Sequence, residues 1–259
     1  MRENNLFKLS RMLSGILLVG ALILANFGVA PRASATVGSR EEVSNSRTSL
    51  PQDMEPPSSI PVSPISFDAV YVVNGGDGMN GSISVINAST NTVARTIVLT
   101  GAMWPHHIYM SADRTKLLVA VPGMDLSMGH DQPMPPDMMG AVMLLDAKTG
   151  ATIKSRMLPA MNHNAVFSPN QKEVWTSQMM MDIPGSVLVL SATTLATLKE
   201  IPVGAGAHAI DFSADGSTAY ITNQMANTVS VIDVGSRTVK KTVAVGNKPN
   251  GLLFRMRTF

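Results

Sequence analysis

An internal repeat constrains the fold of this chain more than any other feature of its sequence. Strand-like copies of one short pattern begin at positions 71, 118, 175 and 220. They are Tyr71–Asn74, Leu118–Val121, Trp175–Gln178 and Tyr220–Asn223. The interval is in the forties except for the second, which an inserted loop lengthens. A unit that returns at such an interval buries its apolar face by stacking on its neighbours.

Each repeat unit contains four short strand-like runs. A second series of runs follows the first and comprises Ser84–Asn87, Met143–Asp146, Leu188–Ser191 and Ser230–Asp233. Each leads into a polar turn such as Asp233–Ser236, whose short side chains can bond the turn backbone. An alternating run such as Thr238–Val245 comes next, and a further run follows a recurring histidine. This pattern predicts an all-β fold, a β-propeller of four-stranded blades with about four blades present.

The repeat resembles that of the YVTN-repeat β-propellers, which include YncE-like and cytochrome d1-like repeats. The clearest copies are Tyr220-Ile221-Thr222-Asn223 and the turn Ser213-Ala214-Asp215-Gly216. Weaker copies of the turn are Ser111-Ala112-Asp113 and Ser168-Pro169-Asn170. The resemblance covers about residues 67–259 and implies a propeller, commonly of seven blades in that family. It names no activity, because one fold serves many functions.

The number of blades is open at the level of sequence. The first unit lacks its innermost strand, whereas an extra strand-like run, Gly251–Phe254, follows the last unit. In one arrangement, this run completes the first blade and closes a ring of four, the lower limit for propellers. In the other, the chain is a fragment of a larger, seven-bladed propeller and leaves an open sheet edge.

The N-terminal residues have the pattern of a secretory signal peptide. Basic residues precede an apolar run from Ile16 to Ala25, and Ala33-Ser34-Ala35 provides a cleavage signal. We therefore expect residues 1–35 to direct export to the periplasm or the exterior, with an uncleaved membrane anchor as the alternative. Residues 36–66 are rich in serine and proline and are predicted to be a linker, followed by the propeller domain at 67–259.

Charge and cysteine content exclude several classes of function. The whole chain has a formal net charge of +2. Residues 1–35 alone carry a net charge of +3, so the exported part has a net charge near −1. This balance argues against nucleic-acid binding. The chain has no cysteine, which excludes a disulfide framework, covalently attached haem, a blue-copper centre and a cysteine nucleophile.

A histidine recurs at one position of the repeat. His106, His163 and His208 each stand five residues before the turn anchors Ser111, Ser168 and Ser213, and Asn250 occupies the corresponding place in the next unit. Equivalent positions of a propeller surround one axis, so we expect these three imidazoles to converge as a metal site with Asn250 as a non-coordinating fourth member. The neighbouring His107 is expected to point to the opposite side of its strand and to pack within a blade.

Methionines concentrate in the loops between the second and third strands of the units. The chain has 19 methionines, and ten occur in these loops. They are Met79; Met124, Met128, Met134, Met138 and Met139; Met179, Met180 and Met181; and Met225. His130 lies in the longest of these loops. Strand direction places these loops on the same face as the recurring histidines, and thioether and imidazole donors together suit copper. Without a metal, methionines also fill apolar gaps or grip apolar partners.

These observations favour an exported propeller that binds a soft metal, most of all copper, for handling rather than catalysis. The predicted ligands are His106, His163, His208 and His130 with Met124, Met128, Met134, Met138, Met139, Met179, Met180 and Met181. One alternative is a metal-free module that binds a protein or cell-envelope partner. A second is a metal- or haem-dependent oxidoreductase domain, because the d1-haem nitrite reductases and nitrous oxide reductase broadly resemble this fold. We expect no nucleic-acid partner. We expect contact with a membrane only if the signal peptide is not cleaved.

Overall fold

Antiparallel strand pairing organises the part of the chain that the computed structural model describes, residues 63–76, 78–126, 139–180 and 183–255. These residues all belong to one unit, Thr48–Phe259. The predicted signal peptide, residues 36–62 of the predicted linker, His130, Met128, Met134, Met138 and Met181 lie outside the described residues. Within the described ranges, no helix combines the length and apolar character that crossing a membrane requires.

Four sheets follow one another along the chain. Sheet 1 contains β1 (Ala69–Asn74), β2 (Gly81–Asn87) and β3 (Thr92–Leu99). Sheet 2 contains β4 (His107–Met110), β5 (Lys116–Val121), β6 (Ala141–Asp146) and β7 (Thr152–Met157). Sheet 3 contains β8 (Ala165–Phe167), β9 (Glu173–Gln178), β10 (Ser186–Ser191) and β11 (Thr197–Pro202). Sheet 4 contains β12 (Ala207–Phe212), β13 (Thr218–Asn223), β14 (Thr228–Asp233) and β15 (Thr238–Ala244).

Each sheet is a meander in which neighbouring strands pair in chain order. This is the blade topology that the repeat predicts, and the all-β propeller fold is confirmed. The first blade has three strands because the strand corresponding to β4 is missing from its described residues, as the sequence indicates. The described C-terminal residues do not supply it.

Apolar cores lie between successive sheets because alternate side chains of a strand point to opposite faces. In β5, Leu117 and Val119 pack with sheet 1, whereas Leu118 and Ala120 pack towards sheet 3. All four side chains are buried. A third core joins sheets 3 and 4 and includes Trp175. Because the central sheets have partners on both faces, their middle strands β5, β6 and β10 are apolar nearly throughout, and this packing fixes each blade beside the next.

The serine-containing turn after each inner strand has the same hydrogen bonds in three blades. The Ser111 hydroxyl donates to Asp113 Oδ1 at 2.6 Å and accepts from the Lys116 backbone N–H at 2.9 Å. Equivalent bonds begin at Ser168 and Ser213. Hydrogen bonds from Ser111 first, and then from Thr115, lower the pKa of Asp113 to about 2. These turns are structural, as the sequence pattern indicates.

The residues after β15 pack on sheet 4. The Phe254 N–H donates to Asp211 Oδ2 at 2.7 Å, and the Phe254 ring stacks on Tyr220 with 5.9 Å between ring centroids. Residues 251–255 form no strand, and β1 pairs only with β2 among the described residues. Closure of a four-bladed ring by Gly251–Phe254, one of the two arrangements that the sequence allowed, is therefore not the arrangement that this part of the chain adopts.

A buried polar link joins sheets 3 and 4. The Trp175 indole N–H donates to Glu173 Oε2 at 2.9 Å, and the other carboxylate oxygen forms an ion pair with Arg237. Trp175 is fully buried, and its ring lies edge-on to Phe212 with centroids 5.3 Å apart. Removal of the carboxylate would therefore leave an indole N–H in an apolar core without its acceptor.

We predict that Glu173→Ala lowers the free energy of unfolding by about 2–3 kcal/mol, the usual cost of an unsatisfied buried donor and a broken, partly buried ion pair. Urea unfolding followed by tryptophan fluorescence measures this change. Glu200→Ala is the control, because Glu200 is exposed on β11 and its loss should change stability by no more than about 0.5 kcal/mol. Equal effects of the two substitutions would show that the link contributes nothing to stability.

Candidate metal centre

The three histidines of the repeat lie together in the folded chain. The ring centroids of His106 and His163 are 4.6 Å apart, and those of His163 and His208 are 3.4 Å apart. Each residue lies at or just before the innermost strand of its blade. The side-by-side packing of the sheets brings these equivalent positions together, so the convergence that the repeat predicts is present.

Backbone hydrogen bonds hold the methionine-containing loops beside the histidines. Gly123 N–H donates to Met103 O at 3.2 Å, and Met179 N–H donates to Met161 O at 2.8 Å. In the next blade, Met225 N–H donates to Ala205 O at 3.2 Å. In each case, the loop after the second strand is bonded to the loop before the innermost strand. Both kinds of loop therefore share one face of sheets 2 to 4, as predicted, and we call it the loop face.

The prediction that His107 points away from His106 was wrong. The ring of His107 lies 4.5 Å from that of His106 and 5.0 Å from that of His163. The alternation of side chains holds only within a strand, and β4 begins at His107, so His106 is outside the pleat. The backbone before it turns at Trp104, which has a φ of 57°. The sequence signal that could have placed His107 in the site is its position directly after His106 at the start of a strand.

His106, His107 and His163 together could hold a metal ion, and we call them the imidazole cluster. One ring nitrogen from each lies within 4.8 Å of the others. Nitrogens that share one ion at 2.0–2.1 Å are about 3.4 Å apart, so the cluster would contract on taking up an ion. His163 is buried, His107 is half-buried and His106 is exposed, which gives a site that opens to solvent on one side.

His208 occupies a different place from the cluster. Its ring lies nearly parallel to that of His163, with 29° between the planes. Its Nδ1 is 2.9 Å from the backbone carbonyl oxygen of Asn250. A carbonyl oxygen only accepts, so Nδ1 carries the hydrogen and the lone pair of the neutral ring is on Nε2. Asn250, the expected fourth member of the set, therefore contributes its backbone to the ring of His208.

Burial, and next the charge of His106 when it is protonated, lower the pKa of His107 to about 4. The usual value for histidine is about 6.5. The His107 ring is therefore neutral at pH 7, the form that offers a lone pair to a metal ion. Since the folded state disfavours the proton, this group makes the metal-free protein less stable as the pH falls from about 6.5 towards 4.

The methionines of the described loops fall into three groups by burial. Met179 is fully buried and Met161 nearly so, with 0% and 1% of their surfaces exposed. Met124, Met139, Met180 and Met225 are half-buried, while Met103 and Met79 are exposed. Met179, one of the predicted ligands, is therefore part of the packed interior, whereas the half-buried methionines are partly accessible to solvent.

We predict that His106→Gln raises the pKa of His107 in the metal-free protein, because it removes a neighbouring charge and leaves the burial nearly unchanged. The value should stay below about 6.5, since burial is the larger cause. Titration of the imidazole carbon-bound protons by NMR measures it. Lys154→Gln on β7 is the control and should leave the titration of His107 unchanged. A pKa of His107 near 6.5 in the unsubstituted protein would contradict the buried geometry.

Comparison with solved structures gives β-propellers and other proteins of the same fold. The chain aligns with hydrazine synthase of Kuenenia stuttgartiensis at a TM-score of 0.56 and 15% identity, over 76% of this chain and 52% of that one. It aligns with the β-propeller domain of Myceliophteria thermophila Cps50 (Swd1) at a TM-score of 0.50 and 14% identity, over 72% and 58%. A functionally unknown protein from Desulfotomaculum acetoxidans DSM 771 gives a TM-score of 0.50 and 14% identity, over 72% and 59%.

At these identities the likeness concerns the fold alone, and the chain spans between half and three fifths of the length of those proteins. No curated protein matches the sequence. The sequence does match the choice-of-anchor I domain over residues 30–251. The description of that family indicates a surface or extracellular protein. Because the match spans most of the chain, the protein belongs to the choice-of-anchor I domain family, with a propeller fold.

Proposed function

We propose that this domain binds a copper ion at the imidazole cluster and handles the metal rather than catalysing a reaction. The observation that carries the proposal is the approach of three imidazole nitrogens to within 4.8 Å of one another. They come from two successive blades, so the fold and not a local sequence motif brings them together. Imidazole binds copper, zinc, nickel and iron, and a neutral His107 is ready to coordinate.

Thioethers favour copper over the other metals. Met103 and Met161 precede the cluster histidines in the same loops, and the half-buried Met124 and Met180 lie in loops bonded to them. Thioether sulfur is a soft donor that suits Cu(I), whereas zinc gains little from it. We propose that the half-buried Met139 adds a further thioether donor, and that His130 and the predicted methionine ligands outside the described residues belong to the same ligand set.

The proposed setting is the periplasm or the exterior of the cell, reached through a signal at residues 1–35. The YVTN-like turns and strands support the assignment of the repeat to that class of propeller. In an oxidising compartment, methionine and histidine persist as ligands where a thiol would be oxidised. The lack of cysteine in the whole chain is consistent with this choice of donors.

A second candidate function is a metal-free interaction module. It is favoured by apolar side chains that sheet 1 exposes: Val70 and Val72 on β1 are 50% and 40% exposed, and Val98 on β3 is 63% exposed. Met79, between β1 and β2, is 72% exposed. Exposed apolar groups of this kind mark surfaces that bind partners.

We predict that the purified exported chain takes up one Cu(I) ion, and that the triple variant His106→Gln, His107→Gln, His163→Gln binds it at least about a hundredfold more weakly. That ratio corresponds to about 2.7 kcal/mol of binding free energy. Competition with a chromogenic chelator under anaerobic conditions measures the affinity, and elemental analysis gives the stoichiometry.

Lys199→Gln is the control, because Lys199 is exposed on β11 and is not one of the cluster residues; the affinity should change by less than about threefold. An unchanged affinity in the triple variant would remove the cluster as the site. A chain that takes up no metal at all would support the interaction module. An intense haem absorption band in protein from its native source would instead support an oxidoreductase domain.

A further inference from the structure

His208 and the segment that follows β15 form a second layer beneath the imidazole cluster. The ring of His208 lies 3.4 Å from that of His163, centroid to centroid, at an angle of 29°. The two rings are thus in face-to-face contact. Both residues are buried, with 5% of His163 and 4% of His208 exposed. Neither ring can turn far without displacing the other.

Hydrogen bonds fix the position of His208 from both its ring and its backbone. Nδ1–H of the ring donates to the carbonyl oxygen of Asn250, and the hydroxyl of Ser177 donates to the carbonyl oxygen of His208 at 2.9 Å. The Thr222 hydroxyl also donates to Asn250 O, at 3.3 Å. Ser177 is in β9, Thr222 is in β13, and Asn250 follows β15. His208 is therefore held by sheet 3, by sheet 4 and by the C-terminal residues.

The stacked arrangement is unsuited to shared coordination of one ion. Two imidazoles that bind the same ion direct their nitrogens to a common point, so their rings radiate from it and do not lie face to face. His208 is also not one of the three histidines whose ring nitrogens all lie within 4.8 Å of one another. A ring that packs on a metal ligand can still hold that ligand in its orientation, which is the usual role of residues behind a metal site.

We infer that His208 is a positioning residue, which sets the orientation of the His163 ring through the stacked contact. The expected effect of His208 on metal affinity rests on the proposed function. The stacking of the two rings does not, because it is present in the metal-free protein. Two substitutions separate the parts of this role. His208→Phe keeps an aromatic ring on His163 and loses the bond to Asn250, whereas His208→Asn keeps a donor near the position of Nδ1 and loses the ring.

The first measurement needs no metal. In NMR spectra of the full metal-free chain, the ring of His208 shifts the carbon-bound ring protons of His163 through its ring current. We expect His208→Asn to move these resonances by several tenths of a ppm and His208→Phe to move them much less. Circular dichroism and the fluorescence of buried Trp175 establish that each variant is folded. Unchanged His163 resonances in folded His208→Asn would overturn the inference.

The second measurement uses Cu(II) chloride alone as the probe and counts the coordinating nitrogens by electron paramagnetic resonance. We expect both variants to keep the nitrogen count of the unsubstituted chain, His208→Phe to keep its affinity within about threefold, and His208→Asn to bind about tenfold more weakly. Loss of one coordinating nitrogen in both variants would make His208 a ligand and overturn the inference. Absence of copper binding in the unsubstituted chain would overturn the proposed function, while the metal-free NMR result would still decide the role of His208.

Discussion

The packing of one sheet against the next through alternating side chains is the constraint on which the rest of this structure depends. β5 shows it most clearly, because Leu117 and Leu118 belong to two different cores although they are adjacent in the chain. A strand buried on both faces cannot shift by one residue without exchanging its two cores. The register of each blade is therefore strongly determined, and with it the place at which each loop reaches the loop face. The imidazole cluster is a consequence of this packing.

The sequence predicted the parts of the structure that the repeat dictates. Four similar units implied blades, and the recurrence of His106, His163 and His208 implied that distant side chains meet. Both follow from equivalence of position, which needs no knowledge of local conformation. The turns anchored at Ser111 and Ser213 were also predictable. An aspartate two residues after a serine can accept a hydrogen bond from its hydroxyl, so the turn forms its hydrogen bonds locally.

The parts that failed depend on local backbone geometry. His107 was expected on the far side of its strand, but the strand begins at that residue and the backbone before it turns through the left-handed region at Trp104. A repeat pattern cannot show where a pleat begins. Likewise, it could not distinguish a ring nitrogen directed at a common point from a ring stacked on its neighbour, so the separate place of His208 was visible only in three dimensions. The repeat pattern also could not predict where Gly251–Phe254 packs. Phe254 contacts Tyr220 and Asp211 of sheet 4, and these contacts are visible only in the folded chain.

Among the described residues, β1 pairs with β2 alone, so its other edge has no strand partner in this part of the chain. In sheets 2 to 4, the innermost strand is preceded by, or begins with, the residues that reach the loop face, and His107 pairs with Ala120 near the end of β5. A guest strand that added to β1 in the same antiparallel sense would bring its own leading residue close to Asn74, the matching end of that strand. A polypeptide that completed the first blade would thus place a side chain at the Asn74 end of β1, the end that corresponds to the loop face in sheets 2 to 4.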